Sequence, residues 1–218
     1  MGRRIFVTGG TGYMGSRLIP LLAERGHEVV ALVRPGSEHK LPGGCEAVRG
    51  DALNGASYEQ HLAGSETFIQ LVGVAHPSPA KAKEFVAVDQ RSGIEAIRAA
   101  KRAGIAHFIY VSVAHPAPAM HAYIAARSAC EAELEASGLN ATILRPWYVL
   151  GPGHHWPYAL IPFYWLAERI LSTREGARRL GLVTVGQMLR ALAGVAQHPA
   201  SGVRIIEVPA IRTGLDRW

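Results

Sequence analysis

Val7-Thr8-Gly9-Gly10-Thr11-Gly12-Tyr13-Met14-Gly15 stands between the apolar run Ile5-Phe6-Val7 and the segment Ser16-Arg17-Leu18-Ile19-Pro20-Leu21-Leu22. That order predicts a strand, a tight turn and a helix N-terminus. Gly9 can take the positive φ that a sharp strand-to-helix turn needs, Gly12 lets the backbone come close to a pyrophosphate, and Gly15 lets the helix pack closely on the strand. Unsatisfied amides and the positive end of the helix dipole then face the phosphates. The stretch reads as a dinucleotide site, with Gly9, Thr11, Gly12, Tyr13, Met14 and Gly15 as candidate cofactor contacts.

The chain continues in the same alternation. Residues 26–33 end in the apolar run Val29-Val30-Ala31-Leu32-Val33, the pattern of a strand buried on both faces of a parallel sheet. Next comes Arg34-Pro35-Gly36-Ser37, where a dinucleotide fingerprint ordinarily sets an acid against the ribose 2′-hydroxyl. A guanidinium there pairs with a 2′-phosphate instead, so NADP(H) is expected in preference to NAD(H), with NAD(H) still admitted. Further strands are expected at 45–49, 67–72, 107–112, 141–145 and 203–208, and helices at 79–102, 123–137, 158–170 and 183–196. Phe85, Val86, Val88, Ile94 and Ile97 are the core candidates of the first of these helices, and 172–179 reads as a mobile loop. Asp51, after Gly50, is placed for an adenine amino group or, equally, to cap a helix starting near Asn54. Val72 and Gly73 fall on the adenosine side of the same crevice. The pattern predicts an α/β protein with a Rossmann-type doubly wound parallel sheet over residues 1–150. Residues 151–218 form a small C-terminal helical and aromatic substrate region packed on the same core.

The 218 residues suffice for one good core, and 49% hydrophobic with 18% charged residues is a globular balance. From Trp147 the composition shifts, with Trp147, Tyr148, Trp156, Tyr158, Phe163, Tyr164 and Trp165 crowded together as a pocket roof or a subunit interface. A formal net charge of +6 favours anionic ligands and permits peripheral association with acidic lipid. Scattered arginines without aromatic interleaving argue against nucleic acid. Cys45 and Cys130 lack metal-ligand spacing and read as buried, reduced filler, and His115, His121, His154 and His155 are loop residues with no metal spacing, so no metal is expected. The chain runs directly into its first strand and has no apolar run of membrane-spanning length. A cytoplasmic monomer or homodimer acting on a small molecule is therefore expected.

Thr8 to Gly15, Gly50-Asp51, Tyr110-Val111-Ser112 and Leu144-Arg145-Pro146, in this order, resemble the extended and atypical short-chain dehydrogenases/reductases. The likeness is greatest to the small NAD(P)H-binding, nucleoside-diphosphate-sugar epimerase-like branch, whose relatives include NmrA-type redox-sensing regulators and the Rossmann-like accessory subunit of respiratory complex I. The resemblance implies oxidoreductase chemistry on a small carbonyl or alcohol and places Pro146 among the cofactor-side residues. The family's serine after strand five falls on Ser112, and its Tyr-x-x-x-Lys pair falls on Tyr123 and Arg127, with arginine in place of lysine. On that pattern Ser112 polarises the substrate oxygen, Tyr123 is the acid/base, and Arg127 anchors the ribose and tunes the phenol. Arginine keeps its proton and so cannot join a lysine-type relay. Two alternatives stand beside this reading. One is a cofactor-binding regulator or assembly subunit without turnover. The other is a nucleotide-sugar epimerase, for which the roughly seventy residues after strand six leave little enclosure.

Overall fold

A computed structural model describes residues 2–153, 159–170 and 173–214. Strand β1 (Arg4–Thr8), the glycine turn and helix α1 (Gly15–Glu24) lead into β2 (Glu28–Val33), β3 (Glu46–Arg49) and β4 (Thr67–Gln70). A one-turn helix α2 (Ala82–Glu84) runs through a π-helical stretch, Phe85–Gln90, into α3 (Arg91–Arg102). Then come β5 (His107–Val111), α4 (His121–Ser137), β6 (Ala141–Arg145) and β7 (Tyr148–Leu150). The remainder is α5 (Ile161–Ala167), α6 (Arg174–Arg179), β8 (Leu182–Thr184), α7 (Val185–Gln197), β9 (Val203–Glu207) and α8 (Val208–Thr213).

Seven strands form one parallel sheet in the order β3-β2-β1-β4-β5-β6-β9. Growth of the sheet reverses direction at β1, and an open α/β sheet binds its ligand at such a reversal, outside the carboxyl ends of the strands. Because side chains alternate along each strand, every apolar run feeds two cores. Ile5, Val7, Val29, Ala31, Ile69, Ile109 and Leu144 face α1 and α7, meeting Leu18, Ile19, Leu22, Met188 and Leu192. Phe6, Val30, Phe68, Phe108 and Ile143 face the other way, onto Ala96, Ile97 and Ala100 of α3 and Cys130 and Leu134 of α4. Register aligns Phe6 with Phe68 and Phe68 with Phe108. Their rings follow one another at 5.2 and 5.1 Å between centroids, across the middle of the sheet.

The structure departs from the sequence reading in several places. The stretch expected as a loop at 172–179 contains helix α6, whose Ala177 is 8% exposed. Its residues are mostly good helix formers, and one buried alanine is enough to dock so short a piece. Tyr148–Leu150 and Leu182–Thr184, unforeseen as strands, pair in parallel to make a separate two-stranded sheet. The helix expected from 158 is described from Leu160 as the lead-in to α5, and Tyr158, like His154, His155 and Trp156, lies outside the described residues. Val86, expected in the core, is 56% exposed. The π-helical turn adds a residue to the helical period and carries Phe85 and Asp89 inward in its place. Cys130 is buried as expected, but Cys45 is only half-buried. In the C-terminal segment α7 completes one core and β9 extends the main sheet beyond β6.

Candidate functional site

The glycine turn has the backbone that its sequence requires. Gly9 sits at φ +76°, and a Cβ there would lie 2.8 Å from the Leu71 carbonyl carbon, so β4 approaches too closely for any side chain. A Cβ at Gly15 would run into the Gly9 carbonyl and come within 2.7 Å of the Gly10 Cα, which is the close helix-to-strand packing expected of the third glycine. The Gly12 amide donates to the Gly9 carbonyl at 3.0 Å and closes the turn. Helix α1 has no side-chain cap and no acid in its first turn, so its leading amides and its dipole are left facing the crevice.

A cavity of about 660 Å³ opens over this turn, lined by Gly9, Thr11 and Gly12, by Arg34 and Ser37 beyond β2, by Asp51 beyond β3, and by Val72 and Gly73 beyond β4. The structure therefore gathers Gly9, Thr11, Gly12, Arg34, Asp51, Val72 and Gly73 at one opening. These residues fit an adenosine diphosphate moiety: glycine backbone and an uncapped helix end for the phosphates, polar groups at the rim, and the apolar Leu32, Leu71 and Val88 along the walls. Arg34 is exposed, and its guanidinium has no partner among the described residues. Asp51 Oδ1 accepts from the Leu53 amide at 2.9 Å, so its carboxylate shapes the loop at the cavity wall.

The other expected cofactor residues lie outside this lining. Gly15 is consumed by packing, and Met14 packs against the α1 and α7 core. Tyr13 stacks under the Arg17 guanidinium, 4.3 Å from the ring centroid, and its hydroxyl points toward Gly151. Pro146 is buried and accepts from the Ala114 amide at 2.8 Å.

The three candidate catalytic residues are placed differently from one another. Arg127, 6% exposed, donates from Nη2 to Asp89 Oδ1 at 2.6 Å and from Nη1 to the Val111 carbonyl at 2.8 Å. Both terminal nitrogens of its fork are thus engaged inside the protein. Its charge lies 5.2 Å from the centroid of the Tyr123 ring. Burial alone would lower the Arg127 pKa, but Tyr123, Tyr110 and Asp89 raise it well beyond the ordinary value, and the guanidinium stays charged. Burial pushes the Asp89 carboxyl up, opposed by the Arg127 charge and by the Val74 amide, which donates to Oδ2 at 3.0 Å. Asp89 thereby ties α4 to the loop after β4, immediately below Gly73. A Cβ on Gly73 would overlap the Arg127 guanidinium.

Ser112 is 2% exposed, with its hydroxyl oxygen buried. Its neighbour is Glu131. Burial works to raise the Glu131 carboxyl, but the Arg145, Ser112 and His115 side chains beside it outweigh burial and hold the group below its usual value. Arg145 donates to Glu131 from Nε at 3.0 Å and from Nη2 at 2.5 Å. Tyr123 is half-buried on α4, with its ring 4.9 Å from that of Phe85.

Sequence reasoning missed Asp89 and Glu131. The signals were present as an acid directly after the apolar run Phe85-Val86-Ala87-Val88 and an arginine in the lysine position, but nothing local joins residues 38 positions apart. A second cavity, of about 510 Å³, lies toward the β5 and β9 end of the sheet and is lined by His115, Pro116, Arg174, Arg178, Glu207 and Pro209, among others. His121 is exposed, and no three His, Cys, Asp or Glu side chains come together in metal-binding fashion among the described residues.

This strand order, with the glycine turn at the reversal, defines a dinucleotide-binding Rossmann protein. Residues 9–155 match the model of a family described as NAD(P)H-binding. The chain belongs to this NAD(P)H-binding family, within the atypical and extended short-chain dehydrogenases/reductases. It is similar to the ceramide reductase of Caulobacter vibrioides, with 27% identity over 98% of this chain and 67% of that protein. It is also similar to a 3-beta-hydroxysteroid dehydrogenase of Mycolicibacterium neoaurum, with 30% identity over 50% of this chain and 31% of that protein. The chain thus spans about two thirds of the first relative and about a third of the second. In fold it resembles the Bordetella bronchiseptica enzyme WbmH in complex with NAD+, with a TM-score of 0.70 and 23% identity over 95% of this chain and 76% of that one.

Proposed function

We propose that the chain is an NADP(H)-dependent oxidoreductase that interconverts a carbonyl and an alcohol, with Tyr123 as the acid/base. The observation that carries this reading is the cavity at the glycine turn, which ends at the unpaired guanidinium of Arg34. Gly9, Thr11, Gly12 and the α1 N-terminus would hold the pyrophosphate, Asp51, Val72 and Gly73 the adenosine, and Arg34 with Ser37 the 2′-phosphate. When bound, the cofactor supplies or takes up the hydride. Tyr123 gives the proton to the carbonyl oxygen in reduction and takes it from the hydroxyl in oxidation. Arg127 keeps a fixed positive charge beside that phenol without exchanging its own proton, and Asp89 fixes where the charge sits. Glu131 and Arg145 hold the segment that carries Ser112. The names of the two curated relatives point to a carbonyl or hydroxyl group carried on an apolar body.

The test is calorimetric titration with NADPH and NADH, followed by a carbonyl screen read as NADPH oxidation. A charge-assisted contact is worth about 1.5–3 kcal/mol, so Arg34→Ala should weaken NADPH roughly 10- to 150-fold and barely change NADH. Equal losses for the two nucleotides would overturn the 2′-phosphate assignment. Tyr123→Phe should abolish turnover while leaving NADPH affinity intact, and full activity in that variant would remove the tyrosine from the chemistry. A second reading, a cofactor-binding protein without turnover, is favoured by the buried Ser112 hydroxyl and by the capture of Arg127 by Asp89. Tight NADPH binding, no turnover of any carbonyl or alcohol, and a partner retained with only one redox form of the cofactor would establish it.

A further inference from the structure

Large apolar side chains are exposed at few places among the described residues, and four of them fall within eight consecutive positions: Phe163 at 71%, Trp165 at 56%, Leu166 at 54% and Ile170 at 46%. Helix α5 (Ile161–Ala167) contains no charged residue. Phe163 and Leu166 stand three residues apart on α5, Trp165 lies between them on another side, and Ile170 follows in the bend after the helix. A helix that is apolar on every side is ordinarily buried in a core or in lipid, and a patch of this kind on a protein surface marks a contact. An apolar slot of about 350 Å³ runs between α5 and α6, lined by Phe163, Tyr164, Ala167, Thr173, Ala177 and Leu180, among others.

The charges beside this patch are arginines. Residues 168–179 carry Arg169, Arg174, Arg178 and Arg179 against Glu168 and Glu175, and Glu168 is paired with Arg212 at 2.8 Å. The Arg169 guanidinium lies over the face of the Trp165 ring, 3.4 Å from its centroid, a cation–π contact. Neither the Arg178 nor the Arg179 guanidinium has a partner among the described residues. Most of the chain's other arginines are engaged with a carboxylate, a carbonyl or an aromatic ring, as Arg3, Arg4, Arg98, Arg102 and Arg145 are.

We propose that α5 and the arginines that follow it form a docking lip for the surface of a membrane containing anionic lipid. Helix α5 lies at headgroup depth with Phe163, Trp165 and Leu166 in the acyl boundary, and Arg169, Arg178 and Arg179 pair with lipid phosphates, while Arg174 donates to the Glu168 carbonyl at 3.1 Å. Charge argues against a second copy of this chain, because a two-fold contact through the same patch would bring both sets of unpaired arginines together. Arg178 and Arg179 also line the cavity that holds His115 and Glu207. The docking stands independently of the reaction proposed above.

The test is co-sedimentation of the whole protein with phosphatidylcholine vesicles and with vesicles of phosphatidylcholine and phosphatidylglycerol in equal parts. The wild type is expected to partition onto the mixed vesicles and to be released by high salt. At about fivefold per arginine, Arg178→Ala with Arg179→Ala should weaken partitioning roughly thirtyfold. Phe163→Asp with Trp165→Asp should abolish it while leaving the circular dichroism spectrum and NADPH titration unchanged, which separates loss of docking from loss of the fold. Wild type that stays in solution with both vesicle types, or aspartate variants that partition like wild type, would overturn the proposal. A concentration-dependent dimer abolished by Phe163→Asp, without vesicle binding, would reassign the patch to self-association.

Discussion

Asp89→Asn keeps the shape of a buried side chain and removes its charge. Asp89 and Arg127 expose 0% and 7% of their side chains and meet at 2.6 Å, so the guanidinium has little water to turn to once the carboxylate is gone. Removing one partner of a buried pair costs about 3–5 kcal/mol, mainly because the other is left as an uncompensated charge. Against a domain stability of about 5–15 kcal/mol, that is a large share of the total. Urea unfolding followed by circular dichroism should show the midpoint falling with the slope unchanged. The double variant Asp89→Leu with Arg127→Met removes both charges and should recover at least about 2 kcal/mol of the loss, since an apolar replacement of a buried pair is often neutral or better. A loss below about 1 kcal/mol for Asp89→Asn, or a double variant no more stable than the single, would refute the reasoning.

Acid stability should report on His107, which starts β5, is 1% exposed and lies with Nε2 3.0 Å from Thr142 Oγ1. Burial first, and then the Arg204 and Arg3 charges, push its pKa from 6.5 down to about 4. The unfolded chain therefore binds more protons between those values, and stability falls as pH drops across that window, by up to about 3 kcal/mol at 1.36 kcal/mol per unit. His107→Gln should flatten this part of the curve, and an unchanged slope would remove His107 from it. Phe68→Ala opens the centre of the aromatic row and should cost about 3–5 kcal/mol in urea unfolding, whereas a cost below about 1 kcal/mol would mean that the neighbouring rings close the gap. Gly9→Ala forces a side chain into a positive-φ turn against β4 and should remove the thermal shift that NADPH gives the wild type, so a retained shift would count against the cradle.

What could be read from the sequence was carried by short-range patterns. The glycine spacing at Gly9, Gly12 and Gly15 and the apolar runs at Val29–Val33 and Phe108–Tyr110 are local signals, because a turn's φ and a strand's burial are set within a few residues. They located the sheet and the cavity, including Arg34, Asp51 and Gly73 at strand ends. The π-helical turn defeated the 3.6-residue period and exchanged Val86 for Asp89 on the inner face. The partners of Arg127 and Arg145 could not be seen, since Asp89 and Glu131 meet them only after α3 and α4 have packed on the sheet. Ser112 was named from its place after β5, and its burial beside Glu131 of α4 is a tertiary fact that no local pattern announces.

Helix α7 packs its Met188, Leu192 and Val195 on the face of the sheet that holds Ile5, Val7 and Ile69. During synthesis, the strands that bear those residues therefore leave the ribosome long before their cover does. Until residues 185–197 emerge, one side of the growing sheet has only α1 to shield it, and an apolar surface stays open to chaperones and to other nascent chains. Strand β9, which borders β6, arrives later still, leaving that edge unpaired in the interval. Yield from a cell should accordingly be more sensitive to changes in α7 than its distance from the cofactor cavity suggests.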